Sequence, residues 1–159
     1  MYLSKISIKD FRMFSDAVEV SFSKGLNLLV GENGSGKSSV VDAIRALLGE
    51  NEFSRRGIIE EDFYSVFCES QKKSSESLFI SGVFSNLTEA QKVEYLSWLD
   101  EDFNAKLSFE VQRTLNRRNN YKQKRWGGNS SNSFFDIEPL NDIQCVYLPA
   151  LRDAERGLR

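Results

Sequence analysis

Apolar and polar residues alternate with a period of two in several stretches, which is typical of strands with one buried face. The alternating stretches are residues 5–9, 18–23 and 107–115, and residues 78–84 predict a further strand. Two nearly unbroken apolar runs, 26–30 and 143–148, are typical of strands covered on both faces. The pattern therefore predicts an α/β fold with a mixed sheet, in which residues 26–30 form the central strand beside an antiparallel group of strands.

Helical spacing of apolar residues follows the predicted central strand. Val40, Val41, Ile44 and Leu47 recur at this spacing, and Gly49 is suited to a left-handed C-cap. Residues 50–77 favour a loop with one short helix, and residues 127–133 favour a loop rich in glycine and serine.

A second helix is predicted behind Thr88 and Gln91, because these two residues fit a capping box. Its predicted apolar face consists of Val93, Leu96 and Leu99. The run from Tyr95 to Glu101 is therefore interpreted as a helix with a solvated acidic tail.

Length and composition limit the function classes. A chain of 159 residues with 40% hydrophobic residues suits one domain with a buried core. It contains no histidine, which excludes imidazole bases and histidine-ligated zinc. Cys68 and Cys145 lie far apart in apolar runs, which favours a reducing cytoplasm over a disulfide framework. The sequence shows no signal peptide and no apolar run of about 18 residues, so no membrane partner is expected.

The segment from Gly31 to Ser38 matches the pattern G-x-x-x-x-G-K-[ST] between a predicted strand and a predicted helix. Glycine lets backbone N–H groups approach phosphate oxygens, and the start of a helix adds unpaired N–H groups. Lysine supplies a cation for the β- and γ-phosphates, and the serine hydroxyl can bind Mg²⁺. The residues predicted to bind ATP are Asn33, Gly34, Ser35, Gly36, Lys37, Ser38 and Ser39.

Three pieces of sequence carry a family resemblance. The stretch ISIKDFR at residues 6–12, the loop GENGSGKSS and the following VVDAIRALLG together resemble the N-terminal half of an ABC-type ATPase head of the RecF/SMC kind. The string YLPALRDA at residues 147–154 is similar to one in the OLD (overcoming lysogenization defect) family of ATP-powered nucleases. In that family an ATPase head is followed by a Toprim nuclease domain.

The resemblance implies that Lys37, Ser38 and the loop glycines hold Mg²⁺ and ATP. It also implies that Arg12 reaches the nucleotide and that heads dimerise around ATP. Such heads carry a glutamine at the end of a strand that points at Mg²⁺. The nearest candidate here is Gln144, although it lies early in its predicted strand.

Two parts that the resemblance requires for hydrolysis, a Walker B strand ending in acids and a signature sequence, are not found in the sequence. The acidic groups at residues 60–62 and 100–102 are interpreted as exposed charge runs, not as a Toprim metal site. Residues 1–159 are therefore expected to be the N-terminal part of an ATP-binding domain. Such a part would bind nucleotide but hydrolyse it poorly alone.

The net charge of −2 conceals a basic segment between residues 113 and 125, where Tyr121 and Trp126 are interleaved with cations. Cations for phosphates and aromatic faces for bases suit DNA contact, although a solvated hairpin tip has the same composition. The candidate DNA contacts are Arg117, Arg118, Lys122, Lys124 and Arg125.

The preferred functional hypothesis is the ATP-binding portion of a head that gates an OLD-family nuclease or another DNA-processing activity, with phage defence as one setting. A stand-alone nucleotide-sensing subunit of a separate effector is the alternative. A small P-loop kinase is a third hypothesis, with Arg55 and Arg56 as lid residues and Asp62 as the base.

Overall fold

Seven strands and four helices form the regular structure of residues 1–68, 71–116, 119–132 and 137–148, which the computed structural model describes. In chain order they are β1 Tyr2–Lys9, β2 Val18–Ser21, α1 Lys37–Leu48, α2 Asn51–Arg56, β3 Ser65–Cys68, β4 Gln71–Ser74, β5 Ser77–Ser85, α3 Glu89–Glu94, β6 Ala105–Leu115, β7 Tyr121–Gly127 and α4 Glu138–Asn141. Short 3-10 turns lie at Glu60–Asp62 and Leu96–Trp98. None of the helices in these ranges is long and apolar enough to span a bilayer.

Five antiparallel strands form the main sheet in the order β2-β1-β5-β6-β7, and β3 pairs with β4 in a separate hairpin. The predicted alternation is confirmed, because every second residue of the central strands is buried. The side chains of this inner face with 0–1% exposure include Ile6, Ile8, Leu78, Ile80, Leu107 and Phe109.

Helix α1 packs on the inner face of the sheet through Ala43, Ala46 and Leu47, which are at most 1% exposed. Gly82 of β5 makes this approach possible, since a Cβ there would lie 2.7 Å from Cδ2 of Leu47. The helix ends at Gly49, whose φ of 66° is left-handed and whose N–H donates to the carbonyl of Ala46. The predicted helix and its glycine cap are confirmed.

The two segments predicted as strands covered on both faces are not strands in the structure. Leu26, Leu28 and Val30 are 87%, 78% and 92% exposed, and Val146 and Leu148 are 80% and 83% exposed. A buried parallel strand needs a neighbour on each side, and no described strand pairs with either segment. The α/β fold class holds, but the strand pairs that the described residues form are all antiparallel.

Local structure around α3 confirms the capping box but not the predicted apolar face. Thr88 accepts from the N–H of Gln91 at 3.3 Å, and the N–H of Thr88 donates to the side chain of Gln91 at 3.0 Å. The helix ends at Glu94, so the chain turns and buries Tyr95 and Trp98 instead. The predicted face was wrong, because it assumed a helix extending to residue 99.

The region predicted as a loop with one short helix contains more structure than expected. Residues 50–77 hold α2, the first 3-10 turn and the β3–β4 hairpin. The basic stretch before Trp126 likewise forms β7, and the short helix α4 follows the glycine-rich segment.

The acidic run at residues 60–62 is not a uniformly exposed charge run. The Asp62 side chain is 1% exposed and accepts from Arg12 Nε at 3.1 Å and Arg56 Nη2 at 2.7 Å. The N–H of Ile59 donates to the same carboxylate at 3.1 Å. Arg56 and Asp62 satisfy each other, which leaves neither available for the kinase roles considered from the sequence.

The same ion pairs continue onto helix α1. Arg12 also contacts Asp42, and Asp42 accepts from Arg45 Nη1 at 2.9 Å. Arg45 Nη2 lies 2.9 Å from a carboxylate oxygen of Glu50. We call the set Arg12, Asp42, Arg45, Glu50, Arg56 and Asp62 the ion-pair chain, and it links the end of β1 to the middle and the C-terminal end of α1.

Replacing Asp62 with asparagine tests the weight of the ion-pair chain. Breaking a buried pair costs about 3–5 kcal/mol, and we expect the lower end for Asp62→Asn because Arg12 and Arg56 keep partial access to water. Chemical denaturation measures this loss. The matched control is Asp16→Asn, because the exposed carboxylate of Asp16 contacts only Ser15 among the described residues. This variant should lose no more than about 0.5 kcal/mol of the free energy of unfolding. Equal losses in the two variants would contradict the assignment.

Candidate nucleotide site

The glycine loop, residues 31–38, bends through left-handed backbone that favours glycine. Gly34 and Gly36 have φ values of 83° and 92°. A Cβ on Gly36 would lie 2.8 Å from both the Met13 sulfur and Cζ of Phe14. The turn that follows β1 therefore lies against the loop, and only glycine fits at residue 36.

The loop delivers unpaired donors at the start of α1. Gly36 is the N-cap and its helix has neither a side-chain cap nor an acidic residue in its first turn. Within the described ranges no acceptor meets the N–H groups of Lys37 and Ser38. These groups and the positive end of the helix dipole can receive an anion, because no acceptor among the described residues competes for them.

Lys37 lies over the loop that precedes it. Its ammonium donates to the carbonyls of Gly31 at 2.9 Å and Glu32 at 2.6 Å, on the exposed side of the loop. Ser38 is exposed beside it, whereas Ser39 is only 9% exposed. Lys37 and Ser38 can therefore present side chains to a ligand, while Ser39 is placed to offer its backbone.

The residues of the glycine loop fit a nucleoside triphosphate with Mg²⁺. Backbone N–H groups and an ammonium match phosphate oxygens, and the hydroxyl of Ser38 is a hard oxygen ligand. No cluster of three acidic or cysteine side chains that could hold a metal occurs among the residues described. Mg²⁺ suits such a site, because it commonly keeps waters and binds through few protein ligands together with substrate phosphates.

The structure does not bring Gln144 to this loop. Gln144 lines a cavity of about 380 Å³ with Leu48, Gly49 and Glu50, at the C-terminal end of α1. Ten residues of helix separate Ser38 from Leu48, which is about 15 Å at 1.5 Å per residue. The predicted contact of Gln144 with Mg²⁺ stays a prediction that this placement does not favour.

Arg12 lies nearer to the loop but is already occupied. It follows β1 with a left-handed φ of 52°, and the next residue, Met13, packs on Gly36. Its guanidinium is held by Asp42 and Asp62. A role for Arg12 at the nucleotide would therefore require it to exchange a carboxylate for a phosphate.

Two cations of the basic segment at residues 113–125, Arg113 and Arg125, have structural contacts. Arg125 donates to the carbonyl of Ala46 at 2.9 Å with its guanidinium 4.0 Å from the Phe109 ring centroid, and burial lowers its pKa. The predicted DNA contact at Arg125 is wrong, because Arg125 lies on the inner face of β7 and caps the end of α1. Trp126 is 8% exposed and therefore cannot offer an open stacking face.

Two further members of the basic segment contact Glu60. Arg113 lies 3.2 Å from its carboxylate, and the hydroxyl of Tyr121 donates to it at 2.9 Å. Burial alone would raise the pKa of Glu60, but hydrogen bonds from Tyr121 and Arg113 contribute to holding that pKa below its usual range. Lys122 and Lys124 remain exposed, and Arg117 and Arg118 lie outside the described residues.

Two contacts near α1 were not anticipated from the sequence. The Tyr147 ring centroid lies 3.7 Å from the Arg45 guanidinium, which fixes residues 143–148 along the helix. The packing of Met13 and Phe14 on Gly36 is the other. The motif ISIKDFR signalled the end of β1, but no periodicity indicates that the following turn reaches the loop.

Sequence comparison gives matches concentrated in part of the chain. The chain is 56% identical over 50 residues to the chromosome partition protein Smc of Chlorobaculum tepidum, which is 31% of this chain and 4% of that protein. It is 40% identical over 74 residues to the Smc protein of Bacillus subtilis, which is 46% of this chain and 6% of that protein. The chain thus matches only a small fraction of the length of these curated relatives.

Solved structures show the same fold. A chain from work on ATP-driven dimerization and DNA-stimulated activation of SMC ATPases superposes with a TM-score of 0.60 at 21% identity, covering 100% of this chain and 92% of that one. The SMC head domain from Thermotoga maritima gives 0.51 at 21% identity, covering 79% of this chain and 36% of that chain. The fold is that of an SMC ATPase head.

The sequence pattern of the AAA ATPase domain family matches residues 1–142, a range that contains both the glycine loop and the five-stranded sheet. The chain therefore belongs to the AAA ATPase domain family.

Proposed function

We propose that this chain is the nucleotide-binding lobe of an SMC-like ATPase head and holds Mg²⁺ and ATP on the glycine loop. The observation that carries the proposal is the set of unpaired backbone donors that Gly36 and the first turn of α1 present beside Lys37. Membership of the AAA ATPase domain family supports the same ligand.

Each loop residue has a role that follows from its position. The N–H groups of the first turn donate hydrogen bonds to the phosphate oxygens, and Lys37 exchanges the carbonyls of Gly31 and Glu32 for phosphate oxygens. The Ser38 hydroxyl holds the metal with the nucleotide. Bound Mg²⁺ supplies neutralisation of the phosphate charge. Arg12 joins the site only by leaving Asp42.

A second lobe completes the head in this proposal. The exposed apolar segments 26–30 and 143–148 would each bury their side chains if further strands paired with them, and Tyr147 of the second segment packs on Arg45 of α1. We infer that such strands bring the acidic residues needed for hydrolysis. An exposed apolar edge of this kind is unfavourable for a stand-alone sensor.

The partners of the head are part of the same proposal. A structural neighbour named for ATP-driven dimerization supports pairing of two heads around ATP, and its DNA-stimulated activation supports a DNA-processing role. Gating of an OLD-family nuclease in phage defence rests on the YLPALRDA string, of which residues 149–154 lie outside the described residues. A cytoplasmic location belongs with these proposals.

Replacing Lys37 tests nucleotide binding directly. We expect Lys37→Ala to weaken binding of Mg-ATP at least tenfold, because the ammonium that faces the phosphates is removed. Isothermal titration of the 159-residue chain measures the change. The control is Lys24→Ala, an exposed lysine in the turn after β2. Equal affinity of the Lys37→Ala variant and the parent would refute the proposed site.

Turnover by the chain alone tests the second-lobe proposal. Because no cluster of three acidic or cysteine side chains that could hold a metal occurs among the described residues, we expect the parent chain to bind Mg-ATP but to release phosphate no faster than its Lys37→Ala variant. A colorimetric phosphate assay at saturating ATP gives the rates. Turnover well above that of the variant would show that the described lobe hydrolyses ATP without partner strands.

A further inference from the structure

The face of the main sheet opposite α1 has a composition unlike the rest of the chain. Because Ile6, Leu107 and Phe109 point to the core, their neighbours along each strand point the other way. We call this the outer face. Its members are Lys5, Ser7 and Lys9 of β1, Glu19 and Ser21 of β2, Ser77, Phe79, Ser81 and Val83 of β5, Lys106, Ser108, Glu110 and Gln112 of β6, and Lys122, Lys124 and Trp126 of β7.

Three serines form a row across the centre of the outer face. Ser7 is paired with Ser81, and Ser81 with Ser108, so the hydroxyls follow one another at the strand spacing of about 4.8 Å. None of the three makes a side-chain hydrogen bond to the described residues. Ser108 is 1% exposed, and its hydroxyl is a buried polar group without a partner. A row of small hydroxyls therefore lies between longer side chains, and the hydroxyl of Ser108 is the one that is buried without a partner among the described residues.

Lysines flank the serine row on both sides. Lys5 and Lys106 share one neighbouring row through Val83, and Lys9 and Lys124 share the other through Phe79 and Glu110. Successive rows on one face are about 7 Å apart. Lys122 lies one row beyond Lys124. The lysines thus line both edges of a shallow trough.

The charge of the outer face opposes that of the whole chain. Its five lysines face the carboxylates Glu19 and Glu110, and Asp100 lines the cavity at its edge, which gives a local charge of +2 by difference, against −2 for the chain. Lys5 lies 3.4 Å from Glu19, and Lys106 donates to Asn129 at 3.2 Å. Lys9 and Lys122 make no ion pair within the described ranges.

We propose that the outer face binds the sugar-phosphate backbone of duplex DNA without reading its sequence. Lysine ammonium groups contact phosphates and fix a protein on a duplex, whereas the buried Ser81 and Ser108 lie on the floor between the lysines. The inference rests on the proposed function, since it places a DNA contact on the ATPase head. It also moves that contact from the hairpin tip predicted from the sequence to the sheet.

Other anions fit the outer face less well. A cavity of about 260 Å³ lies at one end of the trough, but Glu19 and Asp100 line it together with Lys5 and Lys106. Two carboxylates disfavour a small isolated anion there, whereas an extended backbone can contact lysines on both edges. The aromatic side chains Phe79 and Trp126 are half-buried and buried, so the face offers no open stacking platform for single-stranded bases.

The test compares two triple variants with the same loss of charge. The outer-face variant is Lys9→Gln, Lys122→Gln and Lys124→Gln, and the control is Arg55→Gln, Lys73→Gln and Lys92→Gln, which lie off this face. Fluorescence anisotropy with two unrelated labelled 20-base-pair duplexes measures affinity from 50 to 200 mM NaCl. Melting curves confirm that both variants fold.

We expect the outer-face variant to bind both duplexes at least tenfold more weakly than the control. The slope of log affinity against log salt should fall in magnitude by about 2–3, because each lost phosphate contact releases about one counterion fewer. Equal binding by the two variants, or no duplex binding by the parent, would overturn the inference. Displacement of the duplex by equimolar tripolyphosphate or single strand would overturn it as well.

Titration of Mg-ATP into the same samples separates this inference from the proposed function. If the outer-face variant and the control bind DNA equally and the parent chain still binds ATP, the outer-face inference alone is refuted. The glycine loop lies with α1 on the opposite side of the sheet and is not affected by that outcome. Absence of ATP binding by the parent chain would refute the proposed function instead.

Discussion

The position of helix α1 relative to β1 depends on a chain of buried and half-buried ion pairs. Arg12 lies between Asp62, which is 1% exposed, and Asp42 of α1, so the guanidinium fixes the turn after β1 against the helix. That turn also brings Met13 and Phe14 against Gly36. A charge this deeply buried is tolerated only with its partners in place, which makes the arrangement specific as well as stable. The packing of Met13 and Phe14 consequently positions the glycine loop in the absence of a ligand.

The two faces of α1 meet different surroundings. Its inner residues, including Ala46 and Leu47, are fully packed against the antiparallel sheet. Segment 143–148 contacts the helix through Tyr147 and Arg45. Neither it nor segment 26–30 pairs with a described strand, and both keep apolar side chains in water. Apolar surface of this extent favours association, which is why a second lobe is the simplest explanation. Nucleotide binding and completion of the core would then act on the same helix.

Much of this arrangement could be predicted from the sequence where a local rule applies. Alternation located β1, β2 and β6, and Gly49 marked the end of α1 because only a left-handed residue suits that position. The same rules failed for Leu28 and Arg125. The apolar run around Leu28 indicates burial but cannot indicate which strands supply it. Arg125 looked like a surface cation. Its spacing of two residues from Gln123 and four from Tyr121 nevertheless places it on the inner face of β7. The burial of Asp62 gave no signal, since it depends in part on Arg12, which is distant in sequence.

The most direct measurement of the central claim is amide hydrogen exchange along the glycine loop. If the backbone N–H groups of residues 34–38 hold the phosphates, saturating Mg-ATP should slow their exchange at least tenfold while the strands of the main sheet change little. The Asp62→Asn variant should lose part of that protection. Unchanged exchange across residues 34–38 in the presence of bound nucleotide would contradict the account.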